Sequence, residues 1–388
     1  MSEDVALLAE VEPPYADDEA FAAHNTRLAR AYEPARLLLI GPAWVGDMVM
    51  AQVLLQVMRR RWPKLHIDVL APPASLPVAS RMAEVRRCIP LEVPHGKLGW
   101  KARRSIAAKL QKEEYDWSIC LPNSLKSALV PYWTQIPVRT GFGGQARKIL
   151  INDRRHLHKK RLPRTVDRFV ALGLPRRLPQ PTQLPEPRLM VDQHALSATL
   201  RRLGMVRPDT NLVALAPGAE YGPAKRWPVR HWIRLAQQLI QAGWSVWLFG
   251  SPKDIEITQA IATAVPEVSD LGGKTTLVEA IDLLSLARIT VSNDSGLMHV
   301  AGAVGSRVIA LYGSTPLDMT PPLSRGAVAL RLGLSCSPCG KRECPLKHHR
   351  CMEDLLPEQV LQQLLPNSLD GLAKKAPQSG ARRGGAMP

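Results

Sequence analysis

Residues 37–52 read LLLIGPAWVGDMVMAQ. Four aliphatic residues run into a Gly-Pro-Ala-Trp-Val-Gly turn, then one Asp, then a long apolar stretch. An apolar run closed by a glycine turn and followed by helical spacing opens a βα unit whose strand is buried on both faces. A carboxylate near a helix N-terminus gains roughly 0.3–1 kcal/mol from the helix dipole. That gain alone accounts for an Asp at position 47, so the rest of the chain must supply any chemical reason for it.

The βα rhythm continues outward from this stretch. RLLLIG (36–41) reads as a strand and GDMVMAQVLLQVMRRRW (46–62) as a helix, with Pro63 just beyond its end. HIDVLAP is the next strand, and KARRSIAAKLQKEEY a polar-faced helix. DWSICLPN and PVRTGF are strands separated by the short helix SLKSALVPYW. Residues 173–191 then hold five prolines, which oppose both helix and central strand and mark a linker.

After the linker the rhythm restarts. NLVALAPG is a strand, PVRHWIRLAQQLIQAG a helix with Pro228 in its first turn and Gly243 at its stop, and WSVWLFG a strand. DIEITQAIATAV is a helix. Thr276 and Glu279 form a capping box that opens TLVEAIDLLSLA. ARITVSN, DSGLMHVAGAVG and SRVIALYG complete a strand, a helix and a strand. The chain therefore reads as two α/β doubly wound domains, with ligands expected beyond the carboxyl ends of the strands. The expected division is an N-terminal extension over 1–34, a first domain over 35–180, a Pro-rich linker over 181–192 and a second domain over 193–345. A C-terminal segment with a helix follows over 346–366, and a disordered tail over 367–388.

The 388 residues suffice for two cores, and 45% hydrophobic content is that of a globular protein. No apolar run approaches the roughly 18 residues of a spanning helix, and the N-terminus lacks a signal pattern. A cytoplasmic protein is expected. The formal net charge is +17, and Arg147–Arg177 holds eleven Lys or Arg against two Asp. This excess is either a solvated basic surface or the mark of an anionic partner: nucleic acid, membrane or phosphorylated substrate.

Three polar loops follow strands of the second half. PGAEYGPAKRWP (217–228) carries Lys225 and Arg226. GSPKD (250–254) ends at Asp254. VSNDSGLMHVAGA (291–303) places Asp294, Ser295, Gly296 and Leu297 at a helix start, with His299 just over one turn in. Taken singly, these are surface cations, a helix N-cap and a core histidine. Taken together they set cations, helix N-terminal amides and an imidazole along one sheet edge, which suits a diphosphate. No G-x-G-x-x-G follows a strand, and Gly272-Gly273-Lys274-Thr275 lacks the upstream glycine of a P-loop. Dinucleotide oxidoreductases and P-loop NTPases are thereby disfavoured, and no metal-ligand pattern surrounds these loops.

IGPAWVGDMVMAQ, LPNSLKSALVPYW, PGAEYGPAKRWP, SNDSGLMHVAGA and ALYGSTPLDMTPPLS resemble, in order, the motifs of the ADP-heptose:lipopolysaccharide heptosyltransferases of glycosyltransferase family nine. The chain looks most like the heptosyltransferase II branch, from about Arg36 to Pro366. The resemblance implies the GT-B architecture: two Rossmann-like domains across a cleft, the first for acceptor and the second for ADP-sugar. It implies an inverting transfer, with no metal or other cofactor required. Heptose would pass from ADP-L-glycero-β-D-manno-heptose to the 3-hydroxyl of the first heptose on Kdo2–lipid A. Asp47 matches the family's Gly-Asp base, and Lys225 the lysine on the donor phosphate. Asp294, Ser295, Gly296, Leu297 and His299 match the nucleotide and sugar site, with Arg226 beside Lys225. Some relatives hold the ribose with a Glu; the loop here offers Asp254 instead. The basic stretch then fits an acceptor carrying carboxylates and phosphates at the anionic face of the inner membrane, gripped by Lys126, Arg139, Arg147 and Lys148. On this reading the helix dipole lowers the pKa of Asp47, making it a ready but weak base.

The alternatives are another nucleotide-sugar transferase of this fold, such as heptosyltransferase I, and a non-catalytic anion-binding protein. The second leaves Asp47 and DSGLMH unexplained. Nucleic acid is disfavoured because the basic stretch lacks interleaved aromatics. Finally, CSPCGKRECPLKHHRC places Cys336, Cys339, Cys344 and Cys351 at C-x2-C-x4-C-x6-C, beside His348 and His349. This spacing admits a structural zinc; reduced, metal-free thiols are the alternative.

Overall fold

The computed structural model describes residues 33–94, 96–144, 147–175, 181, 183–208 and 211–364. The expected tail over 367–388, and the expected extension apart from residues 33 and 34, lie outside the described residues.

The first six-stranded sheet comprises β1 (Arg36–Ile40), β2 (His66–Ala71), β3 (Val85–Pro90), β4 (Trp117–Cys120), β5 (Val138–Phe142) and β6 (Asp153–Arg155). Its order is β3-β2-β1-β4-β5-β6, every pairing parallel. The second comprises β7 (Leu212–Ala216), β8 (Ser245–Leu248), β9 (Ser269–Asp270), β10 (Ile289–Asn293), β11 (Arg307–Tyr312) and β12 (Val328–Arg331). Its order, β12-β11-β10-β7-β8-β9, repeats the first, again all parallel. In both sheets the strand order reverses beside the first strand, between β1 and β4 and between β7 and β10. That switch point is where a doubly wound sheet opens a crevice.

Period-two alternation distributes β1 over two cores. Leu37 and Leu39 join a core that runs through both domains, and Leu38 and Ile40 enter a core on the opposite face. β11 does the same, with Val308, Ala310 and Tyr312 on one side and Ile309 and Leu311 on the other. The helix α1 (Val45–Arg61) has Asp47 in its first turn and Arg59, Arg60 and Arg61 in its last, matching the dipole at both ends. Met48–Leu55 are all buried, because α1 lies between its own sheet and the second domain.

The remaining helices of the first half are α2 (Leu76–Ala79), α3 (Trp100–Leu110), α4 (Leu129–Trp133) and α5 (Thr165–Gly173). α3 is shorter than its sequence pattern, which finishes in a 3-10 turn over Gln111–Glu113. The second half holds α6 (Gln193–Arg202), α7 (Val229–Gln241), α8 (Ile255–Ala264), α9 (Leu277–Leu284) and α10 (Gly296–Ala303), then α11 (Arg350–Glu353) and α12 (Pro357–Leu364). Thr276 and Glu279 cap α9 reciprocally, as their spacing predicts. Pro228 stands at the N-cap of α7, one residue before the helix.

The linker is tied to both halves. The Gln52 side chain of α1 donates to the Arg188 carbonyl at 2.6 Å and accepts from the Arg188 amide at 2.9 Å. The Leu189 amide donates to the Ala303 carbonyl and that of Met190 to the Arg81 carbonyl. Arg81 of the first half pairs with buried Asp282 of α9 at 2.5 Å, and the Asp192 amide donates to the other Asp282 oxygen. A continuous core and these bonds bring the two switch points face to face.

Candidate functional site

At the centre of the cleft the N-terminus of α1 meets the N-terminus of α10, two helices from different domains. Their approach depends on two glycines. A Cβ on Gly296 would lie 2.8 Å from the Val45 Cβ, and one on Gly46 would lie 2.8 Å from His299 Cδ2. The Gly46 position in the first motif thus serves contact across the cleft, beyond the local turn. It brings Asp47 within electrostatic reach of Lys225 and Asp294.

On the opposing side, Lys225 Nζ donates to Asp294 Oδ2 at 2.6 Å, and Thr315 Oγ1 donates to the same oxygen. Lys225 lies 5.0 Å from the centre of the Tyr221 ring. Asn293, fully buried at the end of β10, joins this loop to the strand. Its Nδ2 donates to the Pro217 carbonyl at 2.7 Å, and its Oδ1 accepts from the Trp227 amide. The lysine is therefore set by its own loop, by Asp294 and by an aromatic face. Ser295 occupies the N-cap of α10 without capping it, its hydroxyl lying 3.1 Å from that of Ser292. The first-turn amides of α10 carry no side-chain cap and remain donors toward the cleft, where an anion is favoured.

Burial reverses the expected titration of Asp47. Its carboxyl is pushed up to about 6: loss of solvent raises it, Lys225 lowers it and Asp294 raises it. The α1 dipole favours the charged form, but the opposing domain removes water from the carboxylate, and that loss dominates. The Asp47 carboxylate makes no hydrogen bond with the described residues. A base with a pKa near working pH is a better proton acceptor than an ordinary Asp. Burial acts the other way on His299, pushing the imidazole down to about 4. His299 is therefore neutral near pH 7, and its buried Nδ1 has no hydrogen-bond partner among the described residues.

The other candidate residues fall in varied places. Gly296 and the half-buried Leu297 open α10. Arg226 is half-buried beside Lys225, with its Nε unpaired among the described residues. Asp254 stands apart: its carboxylate closes a capping box on Ser251, accepting from the amide at 3.0 Å and the hydroxyl at 2.7 Å. It packs against Gly218, where a Cβ would strike it, so Asp254 shapes the loop after β8.

Of the basic residues, Lys148 is exposed and Lys126 half-buried. The two arginines are committed elsewhere. Arg147 is 1% exposed and donates to the carbonyls of Pro122, Ser124 and Phe142. Arg139 donates to the carbonyls of Leu150 and Ile136 and lies over the Tyr132 ring. Both hold the loops after β4 and β5, and direct contact with an acceptor does not follow from their placement. Charge count alone could not separate these internal arginines from surface ones.

Sequence reasoning passed over Asn293, Thr315 and Tyr221. Asn293 sits inside the quoted SNDSG motif, and Thr315 follows the β11 glycine in YGST. A polar residue at or within a few positions of the end of a buried parallel strand was the available signal. The four cysteines are free thiols on one segment beyond β12 and line a cavity next to Ala224.

With this geometry in place, comparison with known proteins is informative. The sequence profile of glycosyltransferase family 9 (heptosyltransferase) matches residues 103–350. The chain is 41% identical over 341 residues to lipopolysaccharide heptosyltransferase 2 of Salmonella typhimurium, covering 85% of this chain and 97% of that one. Its fold is similar to the structure of E. coli ADP-heptose lps heptosyltransferase II, with a TM-score of 0.75, 39% identity, and 85% and 98% of the two chains covered. E. coli heptosyltransferase WaaC with ADP shares the fold at a TM-score of 0.65 and 21% identity, over 86% of this chain and 99% of that one.

Proposed function

The chain belongs to glycosyltransferase family 9 and is a glycosyltransferase of the heptosyltransferase type, and from that premise we propose that it moves heptose from ADP-heptose onto the first heptose of Kdo2–lipid A. The transfer inverts the anomeric centre in one displacement. One observation carries this reading. An elevated carboxyl from one domain, Asp47, faces a lysine–carboxylate pair and an uncapped helix N-terminus from the other.

In the proposed mechanism the donor diphosphate sits against the α10 amides and Lys225. Asp294, itself bonded by the Thr315 hydroxyl, holds Lys225 in place. The acceptor hydroxyl lies between Asp47 and the anomeric carbon. As its oxygen forms the new glycosidic bond, Asp47 takes the proton and the bond to the diphosphate breaks. Charge developing on ADP is stabilised by Lys225, with Arg226 nearby, and by amide dipoles already oriented toward it. Neutral His299 offers a hydrogen bond to the donor without adding a second charge. These protein groups supply both proton removal and leaving-group stabilisation, so no divalent ion is assigned a step.

On the first domain, Lys126 and Lys148 lie with exposed Trp44, Leu125 and Ile149 on the loops around the acceptor side. This mixture of cations and apolar side chains suits peripheral contact with anionic lipid at the cytoplasmic face of the inner membrane. Among the described residues no helix is long and apolar enough to cross a membrane.

The test is a transfer assay with ADP-heptose and heptosyl-Kdo2–lipid A, with the anomeric configuration of the product determined. Transfer with inversion is expected. Retention, or transfer only to Kdo2–lipid A without heptose, contradicts the proposal.

A further inference from the structure

The mechanism leaves Cys336, Cys339, Cys344 and Cys351 without a role. All four, with His348 and His349, line one cavity beside the donor loop. The Lys347 amide donates to the Cys344 carbonyl at 3.0 Å, so the third cysteine sits on a tight turn. The Arg350 amide donates to His348 Nδ1 at 3.0 Å, so the ring proton is on Nε2, 4.0 Å from Cys336 Sγ. An N–H directed at a sulfur is an outer partner of a thiolate, which leaves four cysteines as the donor set. Among the described residues no three His, Cys, Asp or Glu side chains stand close enough together to hold a metal ion as they are. Closing a shell requires side-chain rotation on an existing cavity wall.

We propose that Cys336, Cys339, Cys344 and Cys351 bind one zinc ion, and that this site fixes the loop carrying Lys225. Four thiolates at a C-x2-C-x4-C-x6-C spacing suit a tetrahedral, thiophilic cation. The connection to Lys225 is direct. Between the second and third cysteines, the Gly340 carbonyl accepts from Tyr221 Oη at 2.9 Å, and the Arg342 carbonyl accepts from the Ala224 amide at 3.0 Å. The Arg342 guanidinium lies 5.2 Å from the centre of the Tyr221 ring, the ring that Lys225 also approaches. On the other side the Gly340 amide donates to the Ser314 carbonyl and Ser337 Oγ to the Gly313 carbonyl, beside Thr315. Cys351 is anchored through buried Met352 to the second core. Closing the four sulfurs around a cation therefore braces both segments that hold Lys225 and Asp294. The bracing role rests on the donor-site reading; the metal does not, and the two are measured separately.

The test starts with full-length protein prepared under reducing conditions without chelator. Elemental analysis should give about one zinc per chain. Cobalt exchanged into the site should show the intense visible bands of a tetrahedral thiolate complex. The C339S/C344S double variant should lose the metal. Its ADP affinity should fall about ten-fold, because the brace on Lys225 is gone. If that variant does not fold, zinc release from the wild type on titrating its thiols, against four free thiols per site, supplies the same readout. Zinc below about a tenth per chain with no uptake on titration overturns the site, as do iron at full occupancy or a pair of disulfides. Full zinc with unchanged ADP affinity in the metal-free variant overturns the bracing role alone. Loss of zinc with ADP bound elsewhere would count against the donor-site reading instead.

Discussion

Asp47 is held at about 6 because the second domain covers it, and the sign of that shift defines a pH dependence. The base works ionised, so kcat/KM should fall as pH drops through about 6. Lys225 lowers the Asp47 pKa, so Lys225→Ala should move this acid limb to higher pH as well as slow the reaction. His299, held near 4, is already neutral in this range and contributes no limb. A pH–rate profile flat down to pH 5, or a limb that moves downward in Lys225→Ala, contradicts the assignment. Where Asp47 would stand was legible in the sequence, because a glycine turn after a buried strand has few alternatives. Its titration was not legible, because the burial comes from residues some 250 positions away (Gly296 and His299 among them), in the other domain. The same limit applies to Arg147: eleven basic residues in one stretch suggested a surface, yet this one is wrapped by carbonyls.

At the scale of elements, the contact of α1 with α10 is the feature on which the site turns. Gly46→Ala places a methyl 2.8 Å from His299 Cδ2. Overpacking of this kind costs roughly 1–3 kcal/mol, and the two helix ends can relieve it by separating. The expected result is a loss of about ten-fold or more in kcat/KM with an unchanged far-UV spectrum. Wild-type turnover in Gly46→Ala would show that the close approach is not needed. The buried strands β1, β7 and β10 and the capped helix α9 were readable, since apolar runs and cap spacing are local signals. β6 (Asp-Arg-Arg), β9 (two residues) and β12 were not. β6 and β9 are edge strands too short or too charged to show a period, and they exist because a neighbour offers a register. β3 is an edge strand too, and its Arg86 and Arg87 pair with Asp68 of β2.

For the whole molecule, two copies of one strand order face each other, so that each switch point supplies what the other lacks. In the proposed mechanism the first contributes a base and the acceptor side, the second the groups that hold the diphosphate. The net charge of +17 belongs to this scale, and only part of it can meet a membrane. Binding to vesicles containing anionic lipid should weaken at least about ten-fold between low salt and roughly 0.5 M salt, where the screening length is a few ångströms. Binding that ignores salt would remove the electrostatic role of Lys126 and Lys148.

The central claim is that Asp47 removes the acceptor proton while the second domain holds the donor. Asp47→Asn keeps the shape and removes the base. Single-turnover transfer and ADP-heptose affinity, measured side by side, test it most directly. Transfer should slow by about 10²–10⁴-fold with donor affinity within about three-fold of wild type. Transfer within ten-fold of wild type, or a loss explained by failure to bind donor, would contradict it.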